Sequence, residues 1–366
     1  MVARQRLTPG PWPASIRPTQ PDADPLVAVQ TLTHHPGRAM TLRRLLAPTL
    51  LVLPLVGGGL ACGVKDAGDT GGTSGDGGTT GDTGDTGDTQ AQVVWQDLSF
   101  STSSGVTGVY AASTDEVWVT LSAGKTMLYQ AGAWNELSID VSEEDLNGIW
   151  GSGSGTGATV VAVGDAGNIA TWSGAGWVVD DVGTANFEAV DGAASTDLLA
   201  VGWGGLYANA SGEWAYQDLP TDPRFNDVWY DGSAGAAVGE EGALARLVNG
   251  EWTIEEDPEG RTFYGVSGTG ANDIYAVGEG GVILHWNGTE WDNVSTTTEQ
   301  GLWGVWAANS NAIYVVGNAG TALVRDNGTW RSLETGVNTN LYAVHGTSVS
   351  DVWAVGGFGT ALRYQP

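Results

Sequence analysis

A single cysteine, Cys62, in 366 residues excludes an internal disulfide framework and any zinc site built on several thiolates. Basic side chains are scarce: 14 lysines and arginines face 42 aspartates and glutamates, for a formal net charge of -28. Such a chain repels nucleic acid and anionic membrane surfaces, so neither is an expected partner. Only 15% of the residues are charged, so helix-favouring lysine, arginine and glutamate are few. Glycine, which weakens helices, occurs 57 times, roughly twice the usual share of about 7%. What the chain has instead is 17 tryptophans among small and β-branched residues. That balance predicts strands and tight turns.

The first ninety residues read as an address and a tether. Residues 1–39 are proline-rich, lack apolar periodicity, and are expected to be an over-extended gene start or a discarded extension. Met40 opens a secretory leader over 40–61: Arg43 and Arg44 form its basic region, and Leu45 to Val56 its apolar region, interrupted by Pro48 and Pro54. That apolar region is shorter than the roughly 20 residues of a membrane span. Leu60-Ala61-Cys62 resembles the end of a bacterial lipobox, with Gly59 where the family usually has leucine. The resemblance implies lipidation of Cys62, and Gly63 in place of an inner-membrane retention aspartate implies the outer membrane. From Cys62 to residue 90, glycine, aspartate, threonine and serine dominate, ending in the triplets Gly81-Asp82-Thr83 to Gly87-Asp88-Thr89. Nothing there can bury a core, and the stretch predicts a flexible linker.

Residues 91–366 repeat one unit seven times, with a period near 39. Each unit begins with an apolar residue followed three places later by valine or isoleucine: Val106/Val109, Leu146/Ile149, Phe187/Val190, Phe225/Val228, Phe263/Val266, Leu302/Val305 and Leu341/Val344. A second, alternating strand then ends in a turn whose last residue is always glycine: Gly124, Gly167, Gly205, Gly242, Gly281, Gly320 and Gly359. A type I turn with a bulge explains that glycine, because the backbone there is left-handed. A third strand follows, and a fourth opened by tryptophan at Trp134, Trp177, Trp214, Trp252, Trp291 and Trp330. The seventh unit stops at Pro366 after its third strand, and the missing tryptophan is Trp95, one interval before the first unit. The reading is an all-β, seven-bladed β-propeller of four-stranded blades, closed by the N-terminal strand around Trp95. The recurrent tryptophans are packing between blades.

This pattern resembles the propeller-repeat lipoproteins of myxobacteria. More distantly, it resembles photosystem II assembly-factor propellers and the Asp-box repeats of sialidases. Asp326-Asn327-Gly328-Thr329-Trp330 comes nearest to an Asp-box but is one residue short and lacks its serine. The assembly-factor type carries a basic patch, whereas residues 91–366 hold only seven basic residues. The resemblance implies the fold, and neither function carries over.

Catalytic signals are sparse. The propeller has two histidines, His285 in a third strand and His345 in a first strand, and no metal, cofactor or catalytic residue is expected. Arg246, Arg325 and Arg363 fall in third strands rather than in face loops, and Glu255-Glu256-Asp257 reads as solvated surface. The best candidate binding site is where turn tips depart from small or polar residues, at Trp203 and Phe358, together with Arg224 and Arg261 in loops leading into neighbouring first strands. These residues predict a monomeric, non-catalytic propeller binding an envelope protein or a glycan. The alternative is a glycan-active hydrolase or lyase of sialidase-like type.

Overall fold

The computed structural model describes residues 95–366 except 140, 142, 143 and 222. The leader, Cys62 and the linker lie outside the described residues. Seven antiparallel sheets of four strands stand in a ring, and no α-helix occurs among the described residues. The fifth blade shows the plan: Phe263–Gly270 innermost, then Asp273–Gly278, Ile283–Trp286 and Trp291–Asn293. The innermost strands touch in sequence order, and the last, Leu341–Ser348, touches the first, Val106–Ser113.

Closure follows the tryptophan arithmetic. Trp95–Asp97 pairs with Ala361–Tyr364 as the fourth strand of the seventh blade, with Trp95 opposite Tyr364. The pairing runs on through Leu98 N–H to the Ala361 carbonyl and Phe100 N–H to the Gly359 carbonyl. Trp95 is buried, whereas its six counterparts are half-buried. Those six pack across seams as expected: the Trp134 indole donates to the Leu98 carbonyl, and Trp291 donates to Glu255 of the preceding blade.

The core is not central but divided among the seams. One cluster joins Trp229, Val238 and Leu244 to Phe263, Ile274 and Trp286 across blades four and five, and similar clusters fill the other seams. This corrects the expectation of an alternating second strand. Ile274 to Gly278 is buried on both faces, because each blade is covered by a neighbour on either side.

The turns also differ from expectation. The final glycine is left-handed in all seven blades. In six of them, however, the residue before it is left-handed too: Ala123, Ala166, Glu241, Gly280, Ala319 and Phe358. The single left-handed place of a type I turn with a bulge is therefore replaced by two. The tip rolls back toward its own blade, where the first tip residue donates its N–H to the carbonyl just before the innermost strand. That bond measures 2.9–3.1 Å in every blade, from Ser122 to Gly105 through Gly357 to Asn340. The seven tips are thus fixed platforms around one face.

Candidate functional site

Each innermost strand carries the same irregularity at the same place. Pairing with the second strand skips one residue, between Val106 and Gly108, Leu146 and Gly148, Phe187 and Ala189, Phe225 and Asp227, Phe263 and Gly265, Leu302 and Gly304, and Leu341 and Ala343. The skipped residues are Thr107, Asn147, Glu188, Asn226, Tyr264, Trp303 and Tyr342. A β-bulge bends its strand and re-aims the extra side chain. Here seven bulges re-aim seven side chains onto the mouth of the central channel. All seven line a mouth cavity of about 660 Å³, together with Trp203, Glu240, Glu241, Gly260 and Thr262. They also border the channel beneath it, of about 380 Å³.

The ring is chemically divided. In blades one, two and four the bulge side chain reaches the next blade: Thr107 donates to the Leu146 carbonyl at 2.6 Å, Asn147 to Phe187 at 2.9 Å and Asn226 to Phe263 at 2.8 Å. Those polar groups are engaged in holding neighbouring blades together. Blades five to seven form an aromatic arc, with Tyr264 stacked on Trp303 at 4.2 Å and Trp303 edge-on to Tyr342 at 5.8 Å. The Trp303 indole donates to the Asn318 side chain at 2.7 Å, which fixes its orientation. Blade three stands across the ring from blades six and seven, and its bulge residue is Glu188. A carboxylate cannot make the donation that Asn147 and Asn226 make. Burial, reinforced by the charges of Asp165 and Glu240, pushes the Glu188 carboxyl up to about 7.

Deeper in the channel, side chains satisfy the free inner edge of the next blade. Asp191 accepts the Tyr230 N–H at 2.7 Å, Asp227 the Val266 N–H at 2.8 Å, and Ser267 the Ala307 N–H at 3.0 Å. His345 Nδ1 accepts the Ala111 N–H at 3.1 Å, joining blade seven to blade one. Burial dominates at each titratable member, pushing Asp191 and Asp227 up to about 7 and His345 down to about 4. Donation from the backbone N–H groups opposes the rise at both aspartates.

The residues singled out in the sequence are placed as follows. Trp203 is 54% exposed on the cavity rim, with the Arg224 guanidinium 4.9 Å from its ring centre. Arg224 also pairs with Glu240 at 3.6 Å. Phe358 is 73% exposed at the tip of the seventh blade, across the ring from the third, and is not among the cavity lining. Arg261 is engaged within its own loop, with Nε and Nη2 on the Asp257 carboxylate at 2.9 and 2.7 Å and Nη1 3.5 Å from Glu259. The structure therefore puts Trp203 and Arg224 in contact, while Arg261 is held by Asp257 and Glu259 and Phe358 lies outside the cavity lining. Among the other basic residues, His285 pairs with Asp273 and stacks on Tyr275, Arg363 pairs with Asp351, and Arg246 lies over Trp286.

Sequence reasoning missed the bulge ring. The signal was present one place after each aligned apolar residue, where the repeat varies as Thr, Asn, Glu, Asn, Tyr, Trp, Tyr between an apolar residue and a mostly small one. Strict alternation assigns that place to one sheet face and gives no reason to group it across blades. Only the bulge aims it at the mouth.

No family model and no curated protein matches the sequence. Among solved structures, the chain is similar to YCF48 bound to a D1 peptide, at 18% identity and a TM-score of 0.62, covering 74% of this chain and 97% of that one. It is similar to the WD40 β-propeller domain of Doa1 at 10% identity and a TM-score of 0.63, covering 75% and 97%. A catalytically inactive virginiamycin B lyase from Staphylococcus aureus with quinupristin aligns at 12% identity and a TM-score of 0.65, covering 74% and 99%. These likenesses establish the propeller fold.

Proposed function

We propose that this chain is a non-catalytic binding module of the cell envelope, tethered to the outer membrane by a lipid on Cys62. Its propeller captures an extended segment of a protein partner at the channel mouth. The observation that carries this reading is the bulge ring: seven equivalent backbone irregularities aim seven different side chains into one cavity. The bulge belongs to the fold, since every blade has it, but the identities of its side chains do not. An aromatic arc opposite an acidic residue is the asymmetry a specific ligand requires. A propeller of similar architecture, YCF48, has been seen with a peptide.

A peptide suits the mouth better than a glycan. Sugar recognition needs many free hydrogen-bonding side chains, and Thr107, Asn147 and Asn226 already donate to backbone carbonyls. Tyr264 and Trp303 each cover one face of the other, which reduces the area open to sugar stacking. A sialidase-like activity would want arginines holding an acidic sugar, and the cavity lining contains none. The test is to present the full chain with a random peptide library and with envelope glycans. Retention of peptides, lost on Trp303→Ala, is expected. Retention of glycans alone would replace the peptide reading, and release of glycan fragments would establish an enzyme.

A further inference from the structure

The lining of the mouth cavity combines three aromatic rings of the ring residues, three glutamates and no lysine, arginine or histidine. Glu188 stands between two blades whose residues at the same place bond the next blade. Asn147 and Asn226, on either side of it, both donate to a backbone carbonyl. Glu188 instead puts a carboxyl where the neighbouring charges are also negative: Asp165 at the second blade's tip, and Glu240 at the fourth blade's tip. Glu241 lines the same cavity. Arg224 is not part of that lining and is already engaged by Trp203 and Glu240. Burial first, and the charges of Asp165 and Glu240 second, push the Glu188 carboxyl up to about 7, and the cavity lining holds no cation to offset them.

On the reading that the mouth captures a protein segment, we infer that the segment is anchored by a cationic side chain, lysine or arginine, inserted between Glu188 and the Tyr264-Trp303-Tyr342 arc. A lysine or arginine side chain has the right dual character. Its methylenes can lie along the aromatic wall while the charged head faces the carboxylate. The rings add attraction to the cation wherever it passes over a ring face. A cation at Glu188 also replaces the bound proton, so capture should release that proton and strengthen as pH rises. The ligand's charge is thereby set opposite to that of the propeller, with 34 acidic and seven basic residues in 91–366.

The test titrates the full chain with two fluorescein-labelled peptides, Gly-Leu-Lys-Leu-Gly and the same peptide with norleucine for lysine. Norleucine keeps the apolar stem and removes the charge. At physiological salt, which screens distant charges, the lysine peptide should bind about tenfold more tightly at alkaline pH. That preference should shrink at acidic pH, as Glu188 loses its charge. Glu188→Gln, which copies the amide chemistry of the adjacent blades, should abolish the preference. Trp303→Ala should weaken both peptides. Equal affinity for the two peptides, or a preference that survives Glu188→Gln, would overturn the cationic anchor while leaving the mouth a binding site. Failure of both peptides to bind, or indifference of both to Trp303→Ala, would overturn the mouth reading as well.

Discussion

Phe358 and Gly359 occupy consecutive left-handed positions, with φ of 55° and 76°, and differ in what a substitution would meet. A non-glycine residue there carries strain of about 1–2 kcal/mol, so Phe358→Gly should be neutral or stabilising in thermal unfolding. A Cβ at Gly359 would sit 2.0 Å from the Phe100 carbonyl oxygen, in the segment that closes the ring. Gly359→Ala should therefore destabilise strongly, and a mild effect would refute the close approach. Phe358 shares its backbone state with Ala166, Glu241 and Ala319, so its strain belongs to the turn and is no mark of function. Exposed Trp203 and Phe358 should each tolerate alanine within about 0.5 kcal/mol. Arg261→Ala should cost more, about 1–3 kcal/mol, because it strips buried Asp257 of its paired donors. Urea titration of the three variants separates surface from scaffold.

The same contrast explains what could be read before the structure. Glycine at each turn end, tryptophan at each fourth strand and the unpaired Trp95 are fixed by steric and packing rules that act locally and recur, so the repeat displays them. The mouth ring is different. Its residues vary from blade to blade, and what groups them is a one-residue bulge that depends on pairing between strands rather than on residue type. Trp203 was visible because it broke a pattern, whereas Glu188 and Trp303 break none.

At the scale of the element, one short strand decides whether the sheets form a ring. Trp95–Asp97 covers the outer edge of the seventh blade, while His345 ties the inner edges of blades seven and one. Trp95→Ala removes an aromatic that packs against Tyr364 at 5.1 Å and is buried with Tyr314 and Leu362, so a loss of about 3–5 kcal/mol is expected. Deleting residues 95–100 exposes the edge itself and should lead to aggregation or unfolding. Deleting 63–90 should leave the melting temperature nearly unchanged. Equal melting of the two deletions would contradict closure by this strand.

Across the whole molecule, the channel makes stability depend on pH in an unusual direction. Glu188, Asp191 and Asp227 are all pushed up to about 7. Between the ordinary carboxyl range and about 7, the folded state then holds more protons than the unfolded chain. Stability contributed by these groups is present at the acidic end of that window and lost as pH rises through it. His345, pushed down to about 4, acts oppositely, since its contribution is lost as pH falls from about 6.5 toward 4. Three carboxyls against one imidazole predict a higher melting temperature at mildly acidic than at alkaline pH. The Asp191→Asn, Asp227→Asn double variant should flatten that slope, and an unchanged slope would dissociate it from the channel. Cys62→Ser tests the address: the protein should leave the membrane fraction, and retention at high salt would disprove a lipid tether.

The claim on which the functional account rests is that the bulge ring, rather than the exposed tips, holds the partner. The most direct measurement is a crystal structure of the full chain with the tightest peptide from the random library. The account predicts one peptide side chain in the mouth, in contact with Trp303 and with its charged head against Glu188. A peptide seated over Phe358 or along the outer strands, with the mouth empty, would contradict it.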